Sequence, residues 1–71
     1  MEQELQIELN GVVYRGFRSF ETIENGQVMQ TIYFKGKLKV DSKAYGPNDT
    51  ERMDTIARVI LGELIRESEQ G

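Results

Sequence analysis

The sequence contains one segment that is long and periodic enough to form a complete helix, and it runs from Asn48 to Glu67. Asn48 is a favourable cap for the first turn, and Glu51 can reach back to the Asn48 amide. We therefore predict a helix over residues 49–67 and a frayed end over residues 68–71. At about 100° per residue the apolar side chains form one stripe for burial. The stripe comprises Met53, Ile56, Ala57, Ile60, Leu61 and Leu64.

Two Asn-Gly pairs predict two β-hairpins before the helix. Asn10-Gly11 and Asn25-Gly26 each separate segments with strand-like patterns, and both residue types tolerate the positive φ of a type I′ turn. Strands are therefore predicted over residues 3–9, 12–23 and 28–40.

The third strand region admits two interpretations, because it contains Gly36. In one interpretation, residues 34–37 form a tight turn that divides the region into two strands. We slightly favour one long strand that bends at Gly36.

The middle strand carries apolar residues at both even-numbered and odd-numbered positions. If both Asn-Gly turns hold two residues, Tyr14 shares a face with Leu9, and Phe17 shares a face with Ile32. An unbroken strand would point Tyr14 and Phe17 to opposite sides. We therefore predict a β-bulge or a sharp bend beside Gly16 that brings both sets onto one face.

These elements predict an α+β fold. An antiparallel β-meander of three or four strands carries one C-terminal helix on one face, in the order βββ(β)α. The chain is 71 residues long and is expected to form a single domain, residues 1–71. The sheet residues expected beneath the helix are Leu5, Ile7, Leu9, Tyr14, Phe17, Ile23, Ile32, Phe34, Leu38 and Val40.

The chain contains no cysteine and no histidine. Their absence removes the commonest general base, the usual zinc ligands and every histidine-dependent triad, and it leaves carboxylate acid–base chemistry and carboxylate-only metal binding. No spacing matches an EF-hand loop or a phosphate-binding glycine loop. We expect a protein that is not an enzyme, with no catalytic residue, no metal site and no cofactor.

The amino terminus is acidic and alternating, without the basic start and the apolar run of a signal peptide. No segment approaches the length of a membrane span. We therefore expect a cytoplasmic protein. The net charge is −3, and the only basic part of the chain is the region of residues 28–46.

The predicted open face of the sheet combines positive charge with aromatic rings. Such a surface can hold single-stranded nucleic acid, because cations bind phosphates and rings stack on bases. A solvated lysine face that prevents edge pairing explains the same residues. The candidate binding-face residues are Arg15, Arg18, Phe20, Tyr33, Lys35, Lys37 and Lys39.

The five residues Tyr14-Arg15-Gly16-Phe17-Arg18 resemble the first-strand Tyr-Arg-Gly-x-Arg motif of plant AP2-type DNA-binding domains. That family also sets a three-stranded sheet against a helix, and the resemblance implies DNA contacts from Arg15 and Arg18. It covers five of the 71 residues, and this acidic chain lacks the tryptophans of that family, so we assign no family from it.

The helix carries two further features that point to a partner. Val59 and Ile65 flank the apolar stripe and are candidates for a contact with a partner or with a second copy of the chain. Acidic residues around the helix are typical of a solvated surface with i,i+4 pairs, or of a surface that occupies a partner's basic groove. The candidate acidic-face residues are Glu51, Asp54, Glu63 and Glu67.

We therefore expect a small protein-binding regulator or inhibitor, of a type that phages and mobile elements encode, which occupies a surface of its partner. The partner is another protein or a second copy of the chain in a homodimer, and no membrane is involved. The alternative interpretation is a nucleic-acid-binding module that uses the open sheet face.

Overall fold

The computed structural model describes residues 2–70, which form four strands and one α-helix. All neighbouring strands are antiparallel in the order β1-β2-β3-β4, and the helix packs on one face of this sheet. The predicted α+β meander with a C-terminal helix is confirmed. The elements are β1 (Glu2–Leu9), β2 (Val12–Thr22), β3 (Val28–Phe34), β4 (Lys37–Val40) and α1 (Thr50–Gln70).

The first hairpin has the predicted two-residue turn. Asn10 and Gly11 adopt φ values of 53° and 81°, in the left-handed region that a type I′ turn requires. Leu9 lies opposite Val12, as the sequence predicted.

The second hairpin is also present, but its loop holds three residues, Glu24–Gly26. The Ile23 N–H donates to the Gln27 carbonyl at 2.8 Å, and Thr22 lies opposite Val28. The strand pairing is therefore shifted by one residue from the pairing expected for a two-residue turn.

A third tight turn divides the region that we favoured as one bent strand. Lys35 and Gly36 have φ values of 47° and 80°, and Phe34 lies opposite Lys37. The interpretation of residues 28–40 as a single strand is wrong, because this turn reverses the chain and makes two strands.

The predicted bulge beside Gly16 is absent, since β2 pairs with β1 without interruption from Val12 to Ser19. The extra residue lies in the second turn, where it gives even-numbered residues of β2 and β3 a common face. Tyr14 therefore faces the helix and Phe17 faces away from it. The expected common face of these two rings is wrong.

The core lies between α1 and the even-numbered side of the central strands. The Tyr14 and Phe34 rings meet edge to face, with their centroids 6.2 Å apart. Three residues expected in the core, Phe17, Leu38 and Val40, are instead exposed on the far side of the sheet. The buried core residues are Leu5, Ile32, Phe34, Ala57, Ile60, Leu61, Leu64 and Ile65.

The helix is longer than predicted. It begins at Thr50, directly after Asp49, whose carbonyl accepts the first helical hydrogen bond from the Met53 N–H at 2.9 Å. Residues 68–70, expected to fray, are helical, and residue 71 lies outside the described residues.

The connection from β4 to α1 continues beside β3. The Asp41 N–H donates to the Gln30 carbonyl at 3.0 Å, and Tyr45 exchanges two backbone hydrogen bonds of 2.9 Å with Val28. These bonds bring the side chains of Asp41 and Tyr45 to the edge of the core.

Gly16 lies on the helix side of β2, where the Leu61 side chain of α1 packs directly against the strand. A Cβ atom at this position would lie 2.6 Å from Leu61 Cδ1 and 2.7 Å from the Tyr33 carbonyl oxygen. The absence of a side chain is therefore what lets Leu61 pack against the strand.

We expect Gly16→Ala to lower the free energy of unfolding by about 1–3 kcal/mol, because the added methyl overpacks this contact. Urea denaturation measures the change. Gly62→Ala is the matched control, because its Cβ would lie an ordinary 3.9 Å from Ile7 Cδ1. There the better helix propensity of alanine should raise stability by about 1 kcal/mol. Equal effects at the two glycines would contradict this account.

Candidate interaction surface

The side of the sheet opposite α1 is covered by no element within residues 2–70, and we call it the open face. Strand register places one row of side chains across all four strands, in the order Glu4, Phe17, Tyr33 and Leu38. Val40 lies in the next row on β4. Side chains from sequence positions more than thirty residues apart thus lie in one row of the same surface.

Four of these side chains, Phe17, Tyr33, Leu38 and Val40, form what we call the open-face patch. Phe17 is 49% exposed, Leu38 is 59% exposed and Val40 is 55% exposed. The Tyr33 ring lies between its cross-strand neighbours Phe17 and Leu38, and the Tyr33 hydroxyl is 3.3 Å from the Ser19 hydroxyl. The patch is apolar, contiguous and fixed on hydrogen-bonded strands.

Negative charge flanks the open-face patch on one side. The alternation of β1 directs its acidic side chains to the open face, while Leu5 points into the core. Arg15 lies opposite Gln6 and is the cation that β2 contributes to this face. The acidic residues that β1 directs to the open face are Glu2, Glu4 and Glu8.

The structure does not bring the seven candidate binding-face residues onto one surface. Arg15 and Tyr33 lie on the open face. Lys35 is in the third turn, with its ammonium 5.4 Å from the centroid of the Phe34 ring. The other four lie on the helix side, because β2 has no bulge beside Gly16 and because the third turn sets Lys37 opposite Phe34, so the expected common face is wrong. These four are Arg18, Phe20, Lys37 and Lys39.

Arg18 belongs to a buried polar cluster rather than to a surface. Its Nε donates to Gln3 Oε1 at 2.9 Å, and its Nη2 forms an ion pair with Asp54 Oδ1 at 2.7 Å. Its guanidinium lies 5.0 Å from the centroid of the Phe20 ring. Asp54 Oδ1 is buried and makes no directed hydrogen bond, so the Arg18 charge is what compensates it. Arg18 Nη1 also donates to Gln30 Oε1 at 3.4 Å.

Gln30 extends the cluster to the helix and to the connection before it. Its Nε2 donates to Asp41 Oδ2 and to the Met53 carbonyl, both at 3.0 Å. The Tyr45 hydroxyl donates to the same Asp41 oxygen, and the Lys43 N–H donates to the other at 3.1 Å. The cluster therefore ties β1, β2, β3 and α1 together.

Two ionisable groups of the cluster are perturbed by this environment. Burial acts to raise the pKa of Asp41, but hydrogen bonds from Gln30, Tyr45 and the Lys43 N–H outweigh it and lower the pKa below its ordinary value. Burial, together with the hydrogen bond to the Asp41 carboxylate and its charge, raises the pKa of Tyr45 to about 12.

The candidate residues of the helix are also distributed differently from expectation. Ile65 is fully buried in the core, so of the two candidate partner residues only Val59, which is 55% exposed, remains on the surface. Asp54 faces Arg18, and Glu63 lies 3.7 Å from the Lys39 ammonium. Glu51 and Glu67 are exposed, as a solvated helix surface requires.

Comparison of the chain with known protein families, with curated proteins and with solved structures found no match. Within residues 2–70, no group of three acidic side chains is arranged to hold a metal ion. The same residues contain no helix that is long and apolar enough to cross a membrane.

We expect the stability of the protein to fall in acid through Asp41. Its folded-state pKa lies below the unfolded value of about 3.9, so its carboxylate contributes stability above about pH 4 that is lost as the pH falls through the folded pKa. Urea unfolding of the wild-type chain and of Asp41→Asn between about pH 6 and 2 measures this, and the two curves should converge in acid.

The exposed Glu67→Gln variant is the control for this measurement and should follow the pH profile of the wild-type chain. A constant difference between the wild-type chain and Asp41→Asn across the pH range would contradict the assignment.

Proposed function

We propose that this protein is a non-enzymatic regulator or inhibitor that binds another protein through the open-face patch. The observation that carries the proposal is the contiguity of Phe17, Tyr33, Leu38 and Val40 on three adjacent strands. Contiguous apolar area on a sheet face that no helix covers is a common mark of a protein-interaction site.

The backbone of the patch supports binding because it is already ordered. Its side chains stand on strands whose ladder hydrogen bonds fix their spacing, so association orders little further chain. Phe17 and Tyr33 supply large aromatic area, and Tyr is enriched among residues that dominate interface energetics.

The charges beside the patch define the chemistry of the partner. Glu2, Glu4 and Glu8 lie along its β1 side, so the complementary surface has an apolar centre with lysine or arginine along one margin. The chain would act by covering that surface against other ligands. This is the mode of action expected for a small protein of the type that phages and mobile elements encode.

The nucleic-acid alternative receives less support from the geometry. Of its seven candidate residues, Arg15 is the cation that lies on the open face beside the patch, and the three glutamates of β1 share that face with Glu21 of β2. Like charge on the phosphates and on the β1 row opposes binding. We expect no mobility shift of single- or double-stranded oligonucleotides even at low salt.

The proposal is tested by photo-crosslinking in the cells from which the chain comes. A benzophenone amino acid in place of Leu38 should yield one discrete adduct, whereas the same probe in place of Val12 should not. Val12 is the matched control because it is 52% exposed but belongs to the helix-side set of β2. An adduct of twice the chain mass would identify a homodimer and would contradict a separate partner.

Binding to the purified partner then tests the role of the patch quantitatively. Phe17→Glu and Leu38→Glu should each weaken the complex by at least about tenfold, because a charge is placed in an apolar contact. Val12→Glu should bind as the wild-type chain does. Titration calorimetry measures the affinity of all three variants for the partner. An unchanged affinity of Phe17→Glu would contradict the proposal.

A further inference from the structure

A groove separates the outer edge of β1 from the flank of α1. Ile7 and Leu9 form its floor on the strand, and Val59 and Gly62 form its floor on the helix. The groove has a volume of about 480 Å³. Gly62 contributes no side chain, which leaves room for an apolar side chain from outside.

The strand that borders this groove has an unpaired edge within residues 2–70. β1 is eight residues long and lies at the end of the sheet, paired with β2 on one side. Its outward N–H and C=O groups can pair with an added strand. Alternate side chains of such a strand would enter the groove, and the others would lie on the open face.

The helix side of the groove is positively charged. Arg58 and Arg66 lie one turn before and one turn after Gly62, along one line of the helix. Neither arginine makes an ion pair within residues 2–70, whereas Glu63 at the same rim lies beside Lys39. The groove therefore favours an apolar segment with carboxylates at its two ends.

The other side of β1 favours the opposite charge. An added strand would place its outward side chains beside Glu2, Glu4 and Glu8, where lysine or arginine is stabilising. A second copy of β1 is a poor occupant. When two β1 strands pair antiparallel about a two-fold axis near the strand centre, either Glu4 or Glu2 of one copy lies opposite Glu8 of the other, and these like charges repel.

We propose that the β1 edge and this groove bind an extended peptide segment of a partner protein by strand addition. The segment alternates basic residues on one face with apolar residues, flanked by aspartate or glutamate, on the other. This site is distinct from the open-face patch, and the inference does not rest on the function proposed for that patch.

The test uses the full chain and a small panel of blocked synthetic heptapeptides. The first is acetyl-Glu-Lys-Leu-Lys-Leu-Lys-Glu-amide, and the others replace both leucines with valine or with phenylalanine. Amide hydrogen exchange and ¹H–¹⁵N spectra should show slowed exchange and shifted signals along β1 and the groove. The open-face signals of Leu38 and Val40 should stay unchanged. No response of β1 to any peptide at low salt would overturn the proposal.

Backbone methylation of the peptide distinguishes strand addition from side-chain contact alone. One version carries N-methyl groups on the odd-numbered amides and the other on the even-numbered amides. Because one set of amides faces β1, one version should lose binding and the other should retain it. Retention by both versions would refute strand addition.

Charge reversal on the helix tests the groove. Arg58→Glu with Arg66→Glu should weaken peptide binding by at least about tenfold, because like charges then oppose each other. Arg52→Glu is the matched control, since Arg52 is also exposed on α1 but lies outside the groove. An equal loss in the control, or no loss in the double variant, would overturn the proposed role of the two arginines.

Discussion

The hydrogen bond from the Ile23 N–H to the Gln27 carbonyl closes the second hairpin around three residues, and this odd loop length decides which side chains lie under the helix. A strand alternates its side chains with a period of two, so a shift of one residue at a turn exchanges the faces of everything beyond it. The observed register sets Tyr14 and Phe34 together in the core and leaves Phe17 outside. The core and the open-face patch are consequences of the same turn.

Much of the fold could be predicted from the sequence because its signals are local. The helical period, the Asn10-Gly11 turn and the alternation of β1 each depend on residues close in the chain. The apolar residues at both even and odd positions of the middle strand also indicated that the simple two-residue pairing needed one extra residue. The sequence does not show whether that residue lies in the strand or in the turn, and Phe17 is the ring whose face depends on the answer.

The remaining features could not be predicted because they depend on tertiary placement. The turn at Lys35-Gly36 was one of the two interpretations of the sequence, but a left-handed lysine is uncommon, so the residue type did not favour the turn over a bent strand. The pairing of Arg18 with Asp54 joins β2 to the C-terminal helix across two intervening strands of sequence, so no spacing rule reveals it. Gly16 did carry a signal, since glycine in a strand also marks a close approach by another element.

The buried polar cluster restricts how the helix can sit on the sheet. A shift of α1 by one turn would leave the Gln30 amide and the Arg18 charge without their partners on Met53 and Asp54. An unpaired buried polar group is more costly than a misplaced methyl, so the cluster defines the docking position more sharply than apolar packing does.

The length of the third turn determines which side chains of β4 lie on the open face. Insertion of one residue beside Gly36 would exchange the two faces of β4. Lys37 and Lys39 would then lie on the open face, and Leu38 would face the helix. A single codon gained in one loop would thus replace the apolar side chains that β4 presents on the open face with cationic ones.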